Sequence, residues 1–260
     1  MLSRSHEEAA PTRFSRLAPS GHLVWRTEFL GPPPSPMSSD SLKAAGAIDY
    51  VDPQPGEVRP PQAFLVEQEP GAVVNPHFHF VDQFQVVAAG YGKLGAHDVA
   101  PLTVHFAGAN TGYGPITPGP EGLSYFTFRA SADETGAQYL PGARPRLRPG
   151  PKRNVVAPRV TPAGEAEIAA RRDTITEAPL DKEDGLAVFY LRIAPGTTVA
   201  APQAGGGLSL LVTGGALQEG SRTLGHWSCL FVAPGESATL QASARGAEVL
   251  VLRYPRKSNA

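Results

Sequence analysis

GAVVNPHFHFVDQFQVVAAG, residues 71–90, is the stretch of this 260-residue chain where side chains able to hold a metal gather at a spacing with geometric meaning. His77 and His79 stand two apart in an apolar, aromatic-rich run, and on a β-strand that spacing turns both imidazoles to one face. Gln83 follows, and Gly71 and Gly90 close the segment. Two imidazoles beside an amide oxygen are nitrogen and oxygen donors of the kind accepted by Fe, Mn, Ni, Cu or Zn. The same residues also suit an interior polar cluster in which the histidines hydrogen-bond to Gln83 and Tyr113 with no metal. Phe78 and Phe80 alternate away and read as packing, Gln85 shares the face of Gln83, and Asp82 points outward or lies in a turn.

Composition narrows the classes. With 41% apolar residues the chain can build a sizeable core. Lys plus Arg number 23 against 24 for Asp plus Glu, so no bulk charge draws it to nucleic acid or an anionic membrane. Cys229 is the only cysteine, which leaves no intrachain disulfide and no thiolate zinc site within one chain. The start, MLSRSHEEAAPTRF, lacks a basic-then-apolar secretory pattern, and no run approaches a membrane span, so a cytoplasmic protein is expected. The 28 Gly and 27 Pro suit many short strands joined by tight turns and argue against a helical bundle.

Outward from the opening stretch, residues 1–60 read as a Pro-rich N-terminal arm, with GPPPSPMSSD (31–40) its clearest breaker and GHLVWRTEFL (21–30) either a docked strand or a surface-packed tail. From Gln62, short apolar runs punctuated by Gly and Pro predict a β meander or Greek key over 61–140. Within 141–178, residues 141–160 predict a stiff basic linker, with Arg144, Arg146, Arg148, Lys152 and Arg153 as solvated charges. A short helix follows, N-capped by Thr161 with Pro162 in its first position. Strand texture returns over 179–256.

The halves superimpose at a fixed spacing. Phe64 maps on Phe189, Pro70 on Pro195, Gly71 on Gly196, Gly90 on Gly215 and Gly95 on Gly220, each 125 apart, which predicts a duplicated β domain. His77 then falls on Pro202, His79 on Ala204 and Gln83 on Leu208. The second copy keeps the turn glycines and loses every polar candidate, so the first copy uses polar residues where the fold tolerates apolar ones.

Gly71, His77, His79, Gln83 and Gly90 resemble the first motif of the cupin superfamily at every spacing, with Gln in place of Glu. GHWSCLFVAPGESATL (225–240) resembles the second motif through Pro234 and Gly235, with Ala238 where the last histidine belongs. The resemblance implies two cupin-like β-barrels of jelly-roll type with a few short helices, the C-terminal one degenerate. It also implies a divalent transition metal held by His77, His79 and Gln83. Subtracting 125 from Ala238 gives Tyr113 at the last-ligand place, as a ligand or as an acid–base group whose pKa a nearby cation lowers; His105 is the reserve ligand and His97 a weaker one. Tyr125 and Thr127 line either pocket or core.

The expected function is a metal-dependent enzyme acting on a small organic molecule, most simply a dioxygenase or other oxidoreductase. The alternatives are a metal-dependent isomerase or lyase, and a non-catalytic binding or scaffold protein. A small-molecule substrate and a homodimer are the expected partners, without nucleic acid or membrane. Cys229, His226 and Trp227 are expected to have no chemical role.

Overall fold

The computed structural model describes residues 1–18, 20–31, 49–54 and 56–256, so most of the GPPPSPMSSD breaker lies outside the described residues. Among the described residues no helix is long and apolar enough to cross a membrane. The chain forms two compact units, Thr12–Val156 and Met1–Pro11 with Ala157–Ala260, each built on an eight-stranded antiparallel sheet.

In chain order the N-terminal elements are β1 (Leu2–Arg4), α1 (His6–Ala9), β2 (Phe14–Leu17), β3 (Leu23–Leu30) and β4 (Gln62–Gln68). They continue with β5 (His77–Phe78), β6 (Gln83–Leu94), β7 (His97–Val99), β8 (Val104–Ala107), β9 (Ile116–Arg129), β10 (Gln138–Tyr139) and β11 (Asn154–Ala157). The first sheet runs β11-β8-β6-β9-β4-β3-β2, with β7 on β6 and a separate β5–β10 ribbon. Its core is aromatic: Phe78, Phe84, Phe126 and Phe128 are fully buried, each contributing roughly 1.5–3 kcal/mol of apolar burial.

The second half holds α2 (Glu165–Ala170), β12 (Ile175–Asp181), β13 (Ala187–Ile193), β14 (Thr198–Ala200), β15 (Leu208–Glu219), β16 (Arg222–Leu224), β17 (Cys229–Val232) and β18 (Thr239–Arg253). Its sheet runs β1-β17-β15-β18-β13-β12, with β14 on β18 and β16 on β15. On β13, Ala187, Phe189, Leu191 and Ile193 enter one aliphatic core, as the two-residue strand period requires. Tyr190 and Arg192 face the other way and bond the buried carboxylate of Glu248.

Three details differ from the sequence reading. Residues 1–60 are not one arm: Leu2–Arg4 pairs with Cys229–Phe231, whereas β2 and β3 extend the first sheet, with Arg13 stacked 3.9 Å from the Trp25 ring. The basic stretch is solvated at Arg144 and Lys152 but makes surface ion pairs elsewhere, Arg148 with Asp52 at 2.6 Å and Arg146 with Asp49 at 3.2 Å. The helix begins at Glu165 after Gly164, not at Thr161. Arg192 takes the Thr161 carbonyl and Glu248 takes the Ala163 N–H, which holds the chain extended up to the later start.

The repeat is present in the strand registers, with a gap the constant offset missed. The pairs Val74–Ile116 and Val199–Leu240 are equivalent, their first members 125 apart and their second 124. One residue is therefore missing from the second copy between β17 and β18. Tyr113 corresponds to Ser237 rather than Ala238, and Arg129, opposite Gln62, corresponds to Arg253, opposite Ala187. Gly90 and Gly215 keep their roles: both have positive φ, and a Cβ would lie 2.3 Å from the Gly122 oxygen in one copy and 2.2 Å from the Gly246 oxygen in the other.

Candidate functional site

The backbone brings His77 and Tyr113 together directly. They form a bridge, and Tyr139 of β10 stands opposite His77 on the other side. His79 lies just beyond β5, where its carbonyl accepts the Asn110 N–H at 2.7 Å, and Gln83 opens β6. Arg129 ends β9, which runs beside β6, and Asp133 follows in the next turn. His77, His79, Gln83, Tyr113, Arg129 and Asp133 are each at most 6% exposed.

The hydrogen bonds have a direction. His77 Nδ1 faces the Asn75 carbonyl at 2.7 Å; a carbonyl only accepts, so the proton is on Nδ1 and Nε2 presents a lone pair. Tyr113 donates its hydroxyl to that Nε2 at 2.6 Å, and the Gln83 amide donates to the phenol oxygen. Gln83 Oε1 then accepts from Arg129 Nη2 at 3.1 Å and Nε at 3.3 Å. The chain runs from guanidinium through amide and phenol to imidazole and backbone.

A second branch holds the charges. Arg129 Nη2 lies 3.1 Å from His79 Nε2 and 3.2 Å from its Nδ1, and His79 Nδ1 lies 3.2 Å from Asp133 Oδ2. Thr135 bonds the other carboxylate oxygen through its N–H and hydroxyl, and Gln62 Oε1 accepts from both Arg129 Nη1 and the Asp133 N–H. Burial opposes ionisation of Asp133, yet the His79 hydrogen bond and the charges of His79 and Arg129 outweigh it and hold the carboxyl below its usual range. Burial pushes the Tyr113 phenol well above the usual tyrosine value, against the opposing pulls of Arg129 and Gln83. Tyr113 is thus a protonated donor in this hydrogen-bonded arrangement.

His105 stands apart. Its ring nitrogens meet Gln85 at 3.0 Å and Asn154 at 2.6 Å, and burial lowers its pKa to about 4. A cavity of about 10 Å³ beside His105, Gln85 and Tyr125 has room for roughly one water. His97 is exposed, Thr127 is buried, and Asp82 accepts the Ala109 N–H at 2.8 Å. Cys229 is buried with its thiol pKa raised by desolvation, and His226 stacks on Trp227 at 4.0 Å.

Arg129 and Asp133 were not singled out from the sequence. The available signal was the Arg that ends the last strand in both halves, FTFR and LVLR, hidden by the one-residue gap.

This donor set does not fit a dication as it stands. Among the described residues no three His, Cys, Asp or Glu gather to hold an ion. The inward atoms of His79 and Gln83 face the Arg129 guanidinium, and that of His77 faces the Tyr113 hydroxyl. Unit charges 4 Å apart at an effective dielectric of 20 repel by about 4 kcal/mol, and a dication beside a guanidinium by about twice that.

A pocket of about 290 Å³ lies next to the centre in sequence terms. Val24, Val73, Val74 and Leu17 line it with Arg16, Asn75 and Tyr139. The Tyr139 ring lies 5.6 Å from that of His77.

No protein-family model matches the chain, and no curated protein matches it. Solved structures do. The chain is similar to the bacterial pirin of Escherichia coli in complex with nickel(II), at 12% identity and TM-score 0.55, over 98% of this chain and 99% of that one. It is similar to Bacillus subtilis oxalate decarboxylase, described for its Mn(II) centres, at 10% identity and TM-score 0.55, over 100% and 78%. A candidate dioxygenase from Nostoc punctiforme matches at 12% identity and TM-score 0.53, over 82% and 79%. At such identities the likeness is one of fold.

Proposed function

We propose that this chain, which has the cupin fold, handles a small organic molecule by proton transfer at the His77–Tyr113 pair of its first barrel. The second barrel serves as scaffold. The observation that carries this reading is the directed chain Arg129–Gln83–Tyr113–His77–Asn75. A carbonyl compound placed between the pair would have its oxygen polarised by the Tyr113 O–H, while His77 Nε2 accepts a proton from the adjacent carbon. The proton returned to a different carbon gives an isomerisation, and to the same carbon an exchange. The 290 Å³ pocket supports access, with Tyr139 the side chain that must yield. Strand edges left open on both sheets make a homodimer part of the proposal.

The test is carbon–hydrogen exchange in D2O, followed by NMR across a panel of small ketones and keto acids. Exchange by the native chain that is lost in both Tyr113→Phe and His77→Ala is expected. Equal exchange in all three proteins sinks the reading.

A second reading is the metal-dependent oxidoreductase, a dioxygenase in particular, and one observation favours it. Asn75 and Asp133 tie the Nδ1 atoms of His77 and His79 and leave both Nε2 atoms turned inward, the support that metal-bound imidazoles receive. Oxygen uptake with stoichiometric bound metal would decide for it.

A further inference from the structure

The Gln at position 83 and the Arg at position 129 answer each other. In the buried centre Arg129 contributes one positive charge and Asp133 one negative, with His79 between them, and the amide at position 83 adds none. A carboxylate there would add a negative charge, which favours a cation. Arg129 Nη2 lies 3.1 Å from Gln83 Oε1 and 3.1 and 3.2 Å from the two ring nitrogens of His79, so it covers the imidazole. Its planar fork bonds two amide oxygens, those of Gln83 and Gln62, while it lies against the His79 ring. In the second barrel Arg253 stands at the same strand position, but its guanidinium bonds the Gly185 carbonyl at 2.6 Å and Asp181 at 2.7 Å. The strand position therefore does not by itself send the arginine into the polar cluster.

We propose that Arg129 is a built-in substitute for a metal ion: it fills the seat between His79 and Gln83, keeps a dication out, and its removal opens a latent divalent-metal site. Once opened, that site has His79 Nε2 and Gln83 Oε1 as donors, joined by His77 Nε2 when the Tyr113 hydroxyl turns off it, with Asp133 behind His79 as the supporting carboxylate. The inference concerns the same centre as the proton-transfer reading but does not rest on it, since metal occupancy and carbon–hydrogen exchange are separate measurements.

Nickel(II) titration of the full chain, read by calorimetry and by metal content after desalting, tests it. The native protein is expected to retain no stoichiometric nickel, Arg129→Met to retain it, and Arg129→Lys, which keeps the charge, to exclude it. Adding Asp133→Asn to Arg129→Met is expected to weaken nickel binding by roughly 10–100-fold. Stoichiometric nickel on the native chain overturns the proposal, and so does a folded Arg129→Met that takes up none. Should Arg129→Met fail to fold, imidazole nitrogen NMR of the native chain decides. His77 and His79 signals unaffected by nickel support the substitution, and their paramagnetic broadening overturns it.

Discussion

The two barrels share strand registers and turn glycines, yet their interiors obey different rules. In the first, His77, His79, Gln83 and Tyr113 are buried with Arg129 and Asp133; in the second, Ala204 and Leu208 stand at the places of His79 and Gln83 and belong to an aliphatic core. The buried charge of the second unit sits on the other face of its sheet, where Glu248 ties Arg171 and Arg192. The frame is thus indifferent to what fills it, and polar residues inside a barrel need a complete set of partners. The first barrel supplies that set from segments far apart in the chain.

The sharpest way to break the comparison is Asp133→Asn. It leaves the Arg129 charge buried without its carboxylate and should destabilise the first unit by roughly 3–5 kcal/mol. Urea unfolding with probes in each unit is expected to shift for the first and not the second.

A smaller effect comes from pH. Burial depresses the His105 pKa from 6.5 to about 4, so the unfolded chain takes up a proton that the folded chain refuses. Stability is full above pH 6.5 and falls as pH drops toward 4, by about 3 kcal/mol in total. The equivalent residue in the second barrel is Leu230, buried in the core. His105→Leu should therefore abolish the slope between pH 6.5 and 4 in pH-dependent unfolding; a slope that survives would assign it to another group.

The turn glycines sharpen the comparison from the side of sameness. Gly90→Ala and Gly215→Ala should each cost about 1–3 kcal/mol, because each places a Cβ against a carbonyl at positive φ. Thermal unfolding of the two variants should show like losses in their respective units. The smallest effect is Arg253→Met: its Asp181 partner is half exposed, so the pair contributes no more than about 1 kcal/mol.

Much of the frame was legible in the sequence. Alternating apolar runs, turn glycines and the spacing of the halves predicted a duplicated β domain, because strand period and positive-φ turns are local properties, and the resemblance implied that each copy is a barrel. His77, His79, Gln83 and Tyr113 were also legible as one cluster, the first three by strand spacing and Tyr113 by carrying the second-motif resemblance across the repeat, one residue away from its true counterpart. Arg129 and Asp133 were not, since they lie 46 or more residues from the imidazole and amide they bond. The delayed helix start was hidden for the same reason, its capping signal overridden by Arg192 and Glu248 from distant strands.

By itself, then, the sequence determined that this chain folds as a duplicated β-barrel protein and that only its first copy carries a polar interior. The tertiary structure alone decided which side chains meet in that interior. Two histidines at strand spacing suit both a metal ion and a hydrogen-bonded network, and what their rings face depends on which charge the remote strands bring beside them. Here β9 brings a guanidinium.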